Sequence, residues 1–204
     1  LDQRRMRFPA TIAIPVVLFA VVAIAAEIPR DQRRSGSDFM TPDTQAMQSE
    51  DTANPGMLWV LDGEALWKKK AGSADKACAD CHGDVADSMK GVAARYPAFD
   101  KTLGRPVDLE ARINICRADR QQATPLPYES RELLALTALV ARQSRGSAIA
   151  ANADPQLAPF VAKGRALFNQ RQGQLNLACT NCHDEHWDKR LAGSAITQAH
   201  PTGY

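Results

Sequence analysis

The sequence predicts an all-α protein in which two small helical domains follow each other along the chain. Apolar residues recur at helical spacing in several segments, and the chain repeats itself with a displacement of 101 residues. Each repeat contains the pentapeptide Cys-x-x-Cys-His, once at 78–82 and once at 179–183. A short helix with a Leu-aromatic pair is predicted before each pentapeptide, at Leu66-Trp67 and at Leu167-Phe168, with both aromatic rings in the helix core. We therefore expect two copies of one helical unit.

The pentapeptide Cys-x-x-Cys-His is the attachment signature of a c-type haem. Its two thiols add across the vinyl groups of the porphyrin, and the adjacent histidine becomes the proximal ligand of the iron. One copy alone could be a redox dithiol or half of a zinc site, but two copies that both end in histidine favour two covalently bound haems. The predicted haem-binding residues are Cys78, Cys81, His82, Cys179, Cys182 and His183, and the two histidines are the predicted iron ligands.

The composition of the 204 residues is that of an ordinary folded protein, with 45% hydrophobic residues, 24% charged residues and a formal net charge of +2. This balance argues against a nucleic-acid-binding protein and against a disordered chain. The cysteine count is more informative. Five cysteines are present and the two pentapeptides contain four of them, so Cys116 needs a separate explanation.

Residues 1–26 are predicted to be a cleaved signal peptide. Three arginines precede an apolar run from Phe8 to Ala26, which ends in the small-x-small pattern Ala23-Ile24-Ala25 of a signal peptidase site. The alternative is an uncleaved membrane anchor, because the run approaches the length that spans a bilayer. Pro9 and Pro15 lie inside the run and the small residues at its end favour cleavage, so no stable membrane anchor is expected. Because bacteria attach c-type haem outside the cytoplasm, we expect the mature protein in the periplasm.

The remaining chain divides into three predicted segments. Residues 27–54 are polar and lack hydrophobic periodicity, so we interpret them as a linker or a surface arm, with plain disorder as the alternative. Residues 55–150 form the first predicted cytochrome c domain and residues 151–204 the second. The connector between them, 148–159, contains two prolines.

Two further helices are predicted in the first domain. Asp108 is the predicted N-cap of one helix. One face of this helix carries Leu109, Ile113 and Cys116. Ser130 is the predicted N-cap of the other, which continues to Arg145 and stops at Gly146. Its apolar stripe consists of Leu133, Leu136, Thr137 and Val140. We expect this last helix to cross the helix that contains Trp67, as the first and last helices do in cytochrome c domains.

The second domain is predicted to be incomplete. Only 21 residues follow His183, so the counterparts of Cys116 and of the helix capped by Ser130 would both fall beyond Tyr204. A half-built domain around a haem would expose much apolar surface, which native proteins avoid. We therefore expect the sequence to be truncated at its C-terminus.

The sixth ligand of the first iron is left open between several groups. Met89 and Lys90 lie too close to His82 in the sequence to reach the opposite haem face. The remaining candidates are Lys101, Cys116 and an empty site. We favour Cys116, because it lies on the apolar face of a predicted helix and because iron stabilises a thiolate anion. The alternative is a buried structural cysteine.

The sixth ligand of the second iron is also open. His186 is too close to His183 to reach the other haem face, so it is interpreted as a surface residue or a residue beside the propionates. His200 is far enough in the sequence, but loops of that length seldom cross a porphyrin. We expect the ligand in the segment beyond Tyr204.

Three groups of residues resemble those of one known family. They are Ala111-Arg-Ile-Asn-Ile-Cys116-Arg117; Ser130-Arg-Glu-Leu-Leu-Ala-Leu-Thr137 with Ser144-Arg-Gly146; and Cys179-Thr-Asn-Cys-His183-Asp184 with Trp187, Arg190, Leu191, Gly193 and His200-Pro-Thr-Gly203-Tyr204. Together they resemble SoxA, the dihaem cytochrome subunit of the SoxAX complex of periplasmic thiosulfate oxidation. The resemblance covers about residues 55 to 204.

The resemblance implies two cytochrome c domains, haems with histidine and cysteine-thiolate ligands, and a smaller cytochrome partner, SoxX. It also implies that thiosulfate is joined oxidatively to a cysteine of the carrier SoxYZ, with two electrons passing to haem. Cys116 would then be the distal ligand of the first haem, beside the proximal ligands His82 and His183. The family's catalytic cysteine would lie beyond Tyr204, so no catalytic residue is assigned in this sequence.

Two other functions are weighed against this one. The first is a dihaem electron carrier without sulfur-transfer activity; such carriers usually use a distal methionine, and the first domain offers no suitable one. The second is a dihaem peroxidase, for which the chain is short.

Overall fold

The computed structural model describes residues 28–150 and 154–199, so the predicted signal peptide and His200 lie outside the described residues. The described part of the chain contains eight α-helices and two short antiparallel hairpins, in agreement with the predicted helical fold. No helix of this part is long and apolar enough to cross a membrane. The helices are α1 Pro42–Ser49, α2 Met57–Lys68, α3 Cys78–His82, α4 Val85–Ser88, α5 Leu109–Cys116, α6 Arg131–Arg142, α7 Ala158–Asn169 and α8 Cys179–His183. The strands are β1 Ala98–Asp100, β2 Arg105–Val107, β3 Arg190–Leu191 and β4 Ser194–Ala195.

The core of the first repeat lies where α2 crosses α6. Val60 and Trp67 of α2 are buried against Leu139 and Val140 of α6. The two helices approach closely at Gly63, where a Cβ would lie 2.7 Å from the Cβ of Leu139. The predicted crossing of these helices and the core position of Trp67 are therefore confirmed.

Local hydrogen bonds fix the starts of α5 and α6 where the sequence predicts them. The Asp108 side chain accepts a hydrogen bond from the N–H of Ala111 at 2.7 Å, and Ser130 accepts one from the N–H of Leu133 at 3.3 Å. The end of α6 differs from the prediction: the helix stops at Arg142, and a tighter turn carries the chain on to residue 146. Helix ends are less sharply encoded than capped starts, because the last carbonyls accept either helical or turn hydrogen bonds.

A π-helix, Arg117–Gln121, continues α5 and was not predicted from the sequence. It brings the chain against the loop 71–76, which precedes the first pentapeptide. The side chain of Gln121 donates to the carbonyl oxygen of Lys76 at 2.8 Å. Gly72 has a φ of 69°, and a Cβ there would fall 2.6 Å from the backbone of the segment that follows the π-helix. The end of α5 is thus fixed against the approach to α3.

The four strands form two short hairpins. The paired residues are Ala98 and Val107, Phe99 and Pro106, and Asp100 and Arg105 in the first hairpin, and Arg190 and Ala195, and Leu191 and Ser194 in the second. Asp100 closes the first hairpin, because its Oδ1 accepts from the N–H groups of Thr102 and Leu103, both at 2.9 Å. Its Oδ2 accepts from Arg112 of α5 at 2.7 Å, which joins the hairpin to that helix.

Residues 28–54, called the arm below, contain α1 and two short 3₁₀ turns. Near its C-terminal end, Asp51 forms ion pairs with Arg142 and Arg145 at 2.5 and 2.6 Å. Near its N-terminal end, the arm contacts residues that follow α8. The segment therefore makes contacts with both repeats.

The second repeat begins with α7 and α8, in the same order as α2 and α3. Gly164 of α7 stands at the repeat position of Gly63, but no atom of the described residues lies within 4 Å of a Cβ built there. Phe160 and Leu167 of α7 are 41% and 53% exposed. Phe168, predicted as a core residue, is only half-buried, because nothing in the described chain covers α7 as α6 covers α2.

Candidate haem sites

Helix α3 places the first pentapeptide in one helical turn. The side chain of Asp80 fixes its start by accepting a hydrogen bond from the N–H of Ala77 at 2.8 Å. The indole N–H of Trp67 donates to the carbonyl oxygen of Gly83 at 3.0 Å, directly after the helix. The ring centroids of Trp67 and His82 lie 5.7 Å apart. The core tryptophan therefore also packs beside the predicted iron ligand.

The first pentapeptide opens into a cavity of about 380 Å³, which is within the usual size range of ligand pockets. Cys78, Cys81 and His82 form part of its wall. Apolar side chains of α5 and α6 form another part, namely Leu109, Ile113, Leu136 and Val140. Cys116 lines the same cavity, although 34 residues separate it from His82. Two thiols and an imidazole beside apolar walls fit a covalently bound porphyrin.

Cys78 is half-buried in the wall of the cavity, near Arg117 and Cys116. Burial raises the pKa of the Cys78 thiol, while the cation of Arg117 acts in the opposite direction. An ionised Cys116 would also raise this pKa, so the two sulfurs lie within electrostatic reach of each other.

The other residues considered as the sixth ligand in the first domain differ in whether they line the cavity. Lys90 and Lys101 are exposed, and neither lines the cavity. Met89 does line it and packs against the core around Trp67, and its exclusion as a ligand on the opposite haem face stays a prediction. Cys116 faces the cavity as its helix face predicts, and its ligation of iron stays a prediction.

Four cavity-lining arginines were not selected as site residues from the sequence. They are Arg95, Arg112, Arg117 and Arg120. Their positive charge fits a haem that carries two propionates. Arg112 is engaged by Asp100, whereas the Nε of Arg117 is buried with no hydrogen-bond partner among the described residues. The sequence did contain a signal for three of these arginines. Arg112, Arg117 and Arg120 lie on α5 or on the turn after it, close to Cys116 in the chain.

Helix α8 repeats this local design around the second pentapeptide. Asn181 takes the place of Asp80, and its side-chain oxygen accepts from the N–H of Ala178 at 2.9 Å. The ring of Phe168 lies beside that of His183, with centroids 6.4 Å apart. Cys179 is exposed and Cys182 is half-buried.

The second predicted iron ligand is held by a backbone carbonyl. The Nδ1 of His183 lies 2.7 Å from the carbonyl oxygen of Thr197. When Nδ1 donates this hydrogen bond, Nε2 remains available to a metal, which is the usual arrangement of a ligating histidine. His186 is exposed, and its Nδ1 faces the carbonyl oxygen of Asn181 rather than the region across from His183.

Comparisons with known proteins point to one family. Residues 62–149 match the family model described as SoxA/TsdA, cytochrome c domain. The L-cysteine S-thiosulfotransferase subunit SoxA of Rhodovulum sulfidophilum is 37% identical over 174 residues, which cover 85% of this chain and 61% of that protein. The same subunit of Pseudaminobacter salicylatoxidans is 36% identical over 177 residues, covering 86% and 62%. The crystal structure of SoxXA from P. pantotrophus matches with a TM-score of 0.77 at 28% identity, covering 82% of this chain and 63% of that one. The chain spans about three fifths of the length of these proteins.

Proposed function

Because residues 62–149 match the model of the SoxA/TsdA cytochrome c domain and the chain is similar to SoxA, we propose that it is the dihaem subunit of an L-cysteine S-thiosulfotransferase. This relationship confirms the resemblance noted in the sequence. The observation that carries the proposal is the cavity in which the first pentapeptide and Cys116 meet. It supports the proposal because a cysteine lines this cavity, whereas electron carriers usually use a methionine as the sixth ligand of the iron.

In this proposal the chain binds two c-type haems in two tandem domains, 55–150 and 151–204. Cys78 and Cys81 attach the first haem, and Cys179 and Cys182 attach the second. The iron ligands are His82, Cys116 and His183. The support is the repeated geometry of α3 and α8, each with an aromatic ring beside the ligating histidine.

The proposed reaction joins thiosulfate to a cysteine of a carrier protein. A bond forms between the outer sulfur of thiosulfate and the cysteine sulfur, the S–H bond of the cysteine breaks, and one proton and two electrons are released. When bound, the haems supply acceptors for these electrons. The residues of this chain attach and orient these groups, and the arginines at the first cavity give it a positive charge. We assign no catalytic residue to the described part of the chain.

The proposed location rests on the sequence, and the proposed partners rest on the similarity to SoxA. We propose export to the periplasm with residues 1–26 as the signal peptide. A small SoxX-like cytochrome would be the partner, since the matching solved structure is a SoxXA complex. A SoxYZ-like carrier and thiosulfate would be the substrates.

The proposal is tested with the full gene product, produced together with a haem-maturation system and its cytochrome partner. Mass spectrometry of the purified chain should show two haem additions that survive acid-acetone extraction. With thiosulfate, a thiol-bearing carrier and an electron acceptor present, the complex should reduce the acceptor. Omission of thiosulfate or of the carrier is the control and should abolish the reduction. Equal reduction in these controls would instead establish an electron carrier without sulfur-transfer activity.

A further inference from the structure

Gln198 is a polar residue that the structure buries almost completely, with 1% of its surface exposed. Both ends of its amide are bound by the backbone of the arm. The Oε1 accepts from the N–H of Arg34 at 2.6 Å, and the Nε2 donates to the carbonyl oxygen of Gln32 at 3.0 Å. A buried amide with donor and acceptor both engaged is held in one orientation, because either broken bond would leave a buried polar group unpaired.

The same peptide unit holds the acceptor for the second predicted iron ligand. The carbonyl of Thr197 is covalently bonded to the backbone nitrogen of Gln198, and its oxygen lies 2.7 Å from the Nδ1 of His183. Any displacement of Gln198 would therefore displace this carbonyl. The peptide bond between Thr197 and Gln198 therefore connects the side chain bound by the arm to the carbonyl that faces His183.

The arm is itself fixed on both sides of this contact. The ring of Phe39 packs edge-on against Trp187, with centroids 6.3 Å apart, and the guanidinium of Arg34 lies 5.5 Å from the same indole. Farther along, Asp51 binds Arg142 and Arg145. The backbone that binds Gln198 is thus held by contacts with Trp187 of the second repeat and with α6 and the turn after it in the first repeat.

We propose that Gln198 is a positioning residue for the second haem site, through which the arm fixes the carbonyl of Thr197 and so the ring of His183. The inference rests on the proposed attachment of a haem at the second pentapeptide, and it adds a residue that acts on His183 through the backbone. A strong hydrogen bond from Nδ1–H makes a histidine a better donor to iron and favours the ferric state. Loosening the acceptor should therefore raise the reduction potential of the second haem.

The direct test replaces Gln198 by Leu in the full dihaem protein, which removes both amide hydrogen bonds at nearly constant volume. The matched control is Gln174→Leu, the same change at an exposed position of the same repeat. Gln198→Leu should raise the potential of the second haem, measured by spectroelectrochemical titration, and leave that of the first haem unchanged. Gln174→Leu should change neither. Equal potentials in wild type and Gln198→Leu, or an equal shift in the control, would overturn the proposal.

A second pair of variants tests the arm from its own side. Arg34→Pro removes the backbone N–H that Gln198 accepts, whereas Arg34→Ala keeps this N–H and loses only the contact with Trp187. The proline variant should reproduce the rise in potential and the alanine variant should not; the opposite order would assign the effect to Trp187 and overturn the role of Gln198. Haem content by mass spectrometry separates this result from the proposed function, because a wild-type protein without a second haem would contradict the dihaem assignment itself. Where Gln198→Leu takes up only one haem, Gln198→Asn is measured, since it keeps a neutral amide with a shorter reach and should show a smaller rise.

Discussion

Gly63 and Leu139 lie so close together that the structure leaves no room for a side chain at position 63. A Cβ on Gly63 would fall 2.7 Å from the Cβ of Leu139, at the crossing of α2 and α6. Gly164, at the same position of the second repeat, would meet no atom within 4 Å. One glycine is therefore required by packing, and the other has no such requirement in the described chain.

Gly63→Ala should lower the free energy of unfolding of the first domain by about 1–3 kcal/mol, the usual cost of overpacking a core. Gly164→Ala is the matched control, and it should be neutral or stabilising by up to about 1 kcal/mol, because alanine favours a helix over glycine. Denaturant titrations followed by circular dichroism measure both. Equal effects at the two positions would show that the crossing is not as close as described.

Cys116→Ala should change the coordination of the first iron. A thiolate ligand gives a low-spin ferric haem with a sulfur-to-iron charge-transfer band, and its loss should give a high-spin haem or admit a new ligand. Electron paramagnetic resonance and optical spectra of the ferric protein measure this change. An unchanged low-spin signal would make Cys116 a structural cysteine, and Met89→Leu would then be the next variant to measure.

Arg117→Gln should lower the reduction potential of the first haem. The guanidinium lines the cavity and its Nε is buried, so part of its charge is shielded from solvent and favours the reduced iron, which carries one positive charge less. Arg120→Gln is the control, because Arg120 lines the same cavity but is exposed to solvent. Arg117→Lys keeps the charge and should retain most of the potential. A larger shift for Arg120 than for Arg117 would contradict this role.

Asp100→Asn should destabilise the first domain at neutral pH and have little effect in strong acid. Hydrogen bonds from Leu103 above all, and from Arg112, hold the pKa of Asp100 below its ordinary value. A carboxylate with a lowered folded-state pKa contributes stability above its unfolded pKa of about 3.9, and this contribution is lost as the pH falls through the folded value. The free energies of unfolding of the wild type and of Asp100→Asn should therefore converge as the pH falls. Asp87→Asn, at an exposed carboxylate, should show no such convergence.

The sequence predicts the parts of this fold that depend on neighbours along the chain. The caps Asp108 and Ser130 are local, so the starts of α5 and α6 fall where expected. Helical spacing likewise places Cys116 on the face that lines the cavity. The π-helix that follows α5 could not be predicted, because its five residues are too few to show a periodic pattern of apolar side chains. The contact of the arm with Gln198 joins positions 164 residues apart, and no local pattern encodes it.

The pairing of the π-helix with the loop 71–76 has a consequence for how the protein matures. The hydrogen bond from Gln121 to Lys76 spans 45 residues, so this side of the first cavity closes only after α5 has been made and folded. The proposed attachment at Cys78 and Cys81 uses residues of one pentapeptide and needs no contact with α5. The haem can therefore be joined to an open chain and then serve as the apolar surface on which α5 and α6 fold. In that order of events the wall formed by α5 and α6 would be completed around a haem that is already attached, so the haem would template the cavity in which it lies.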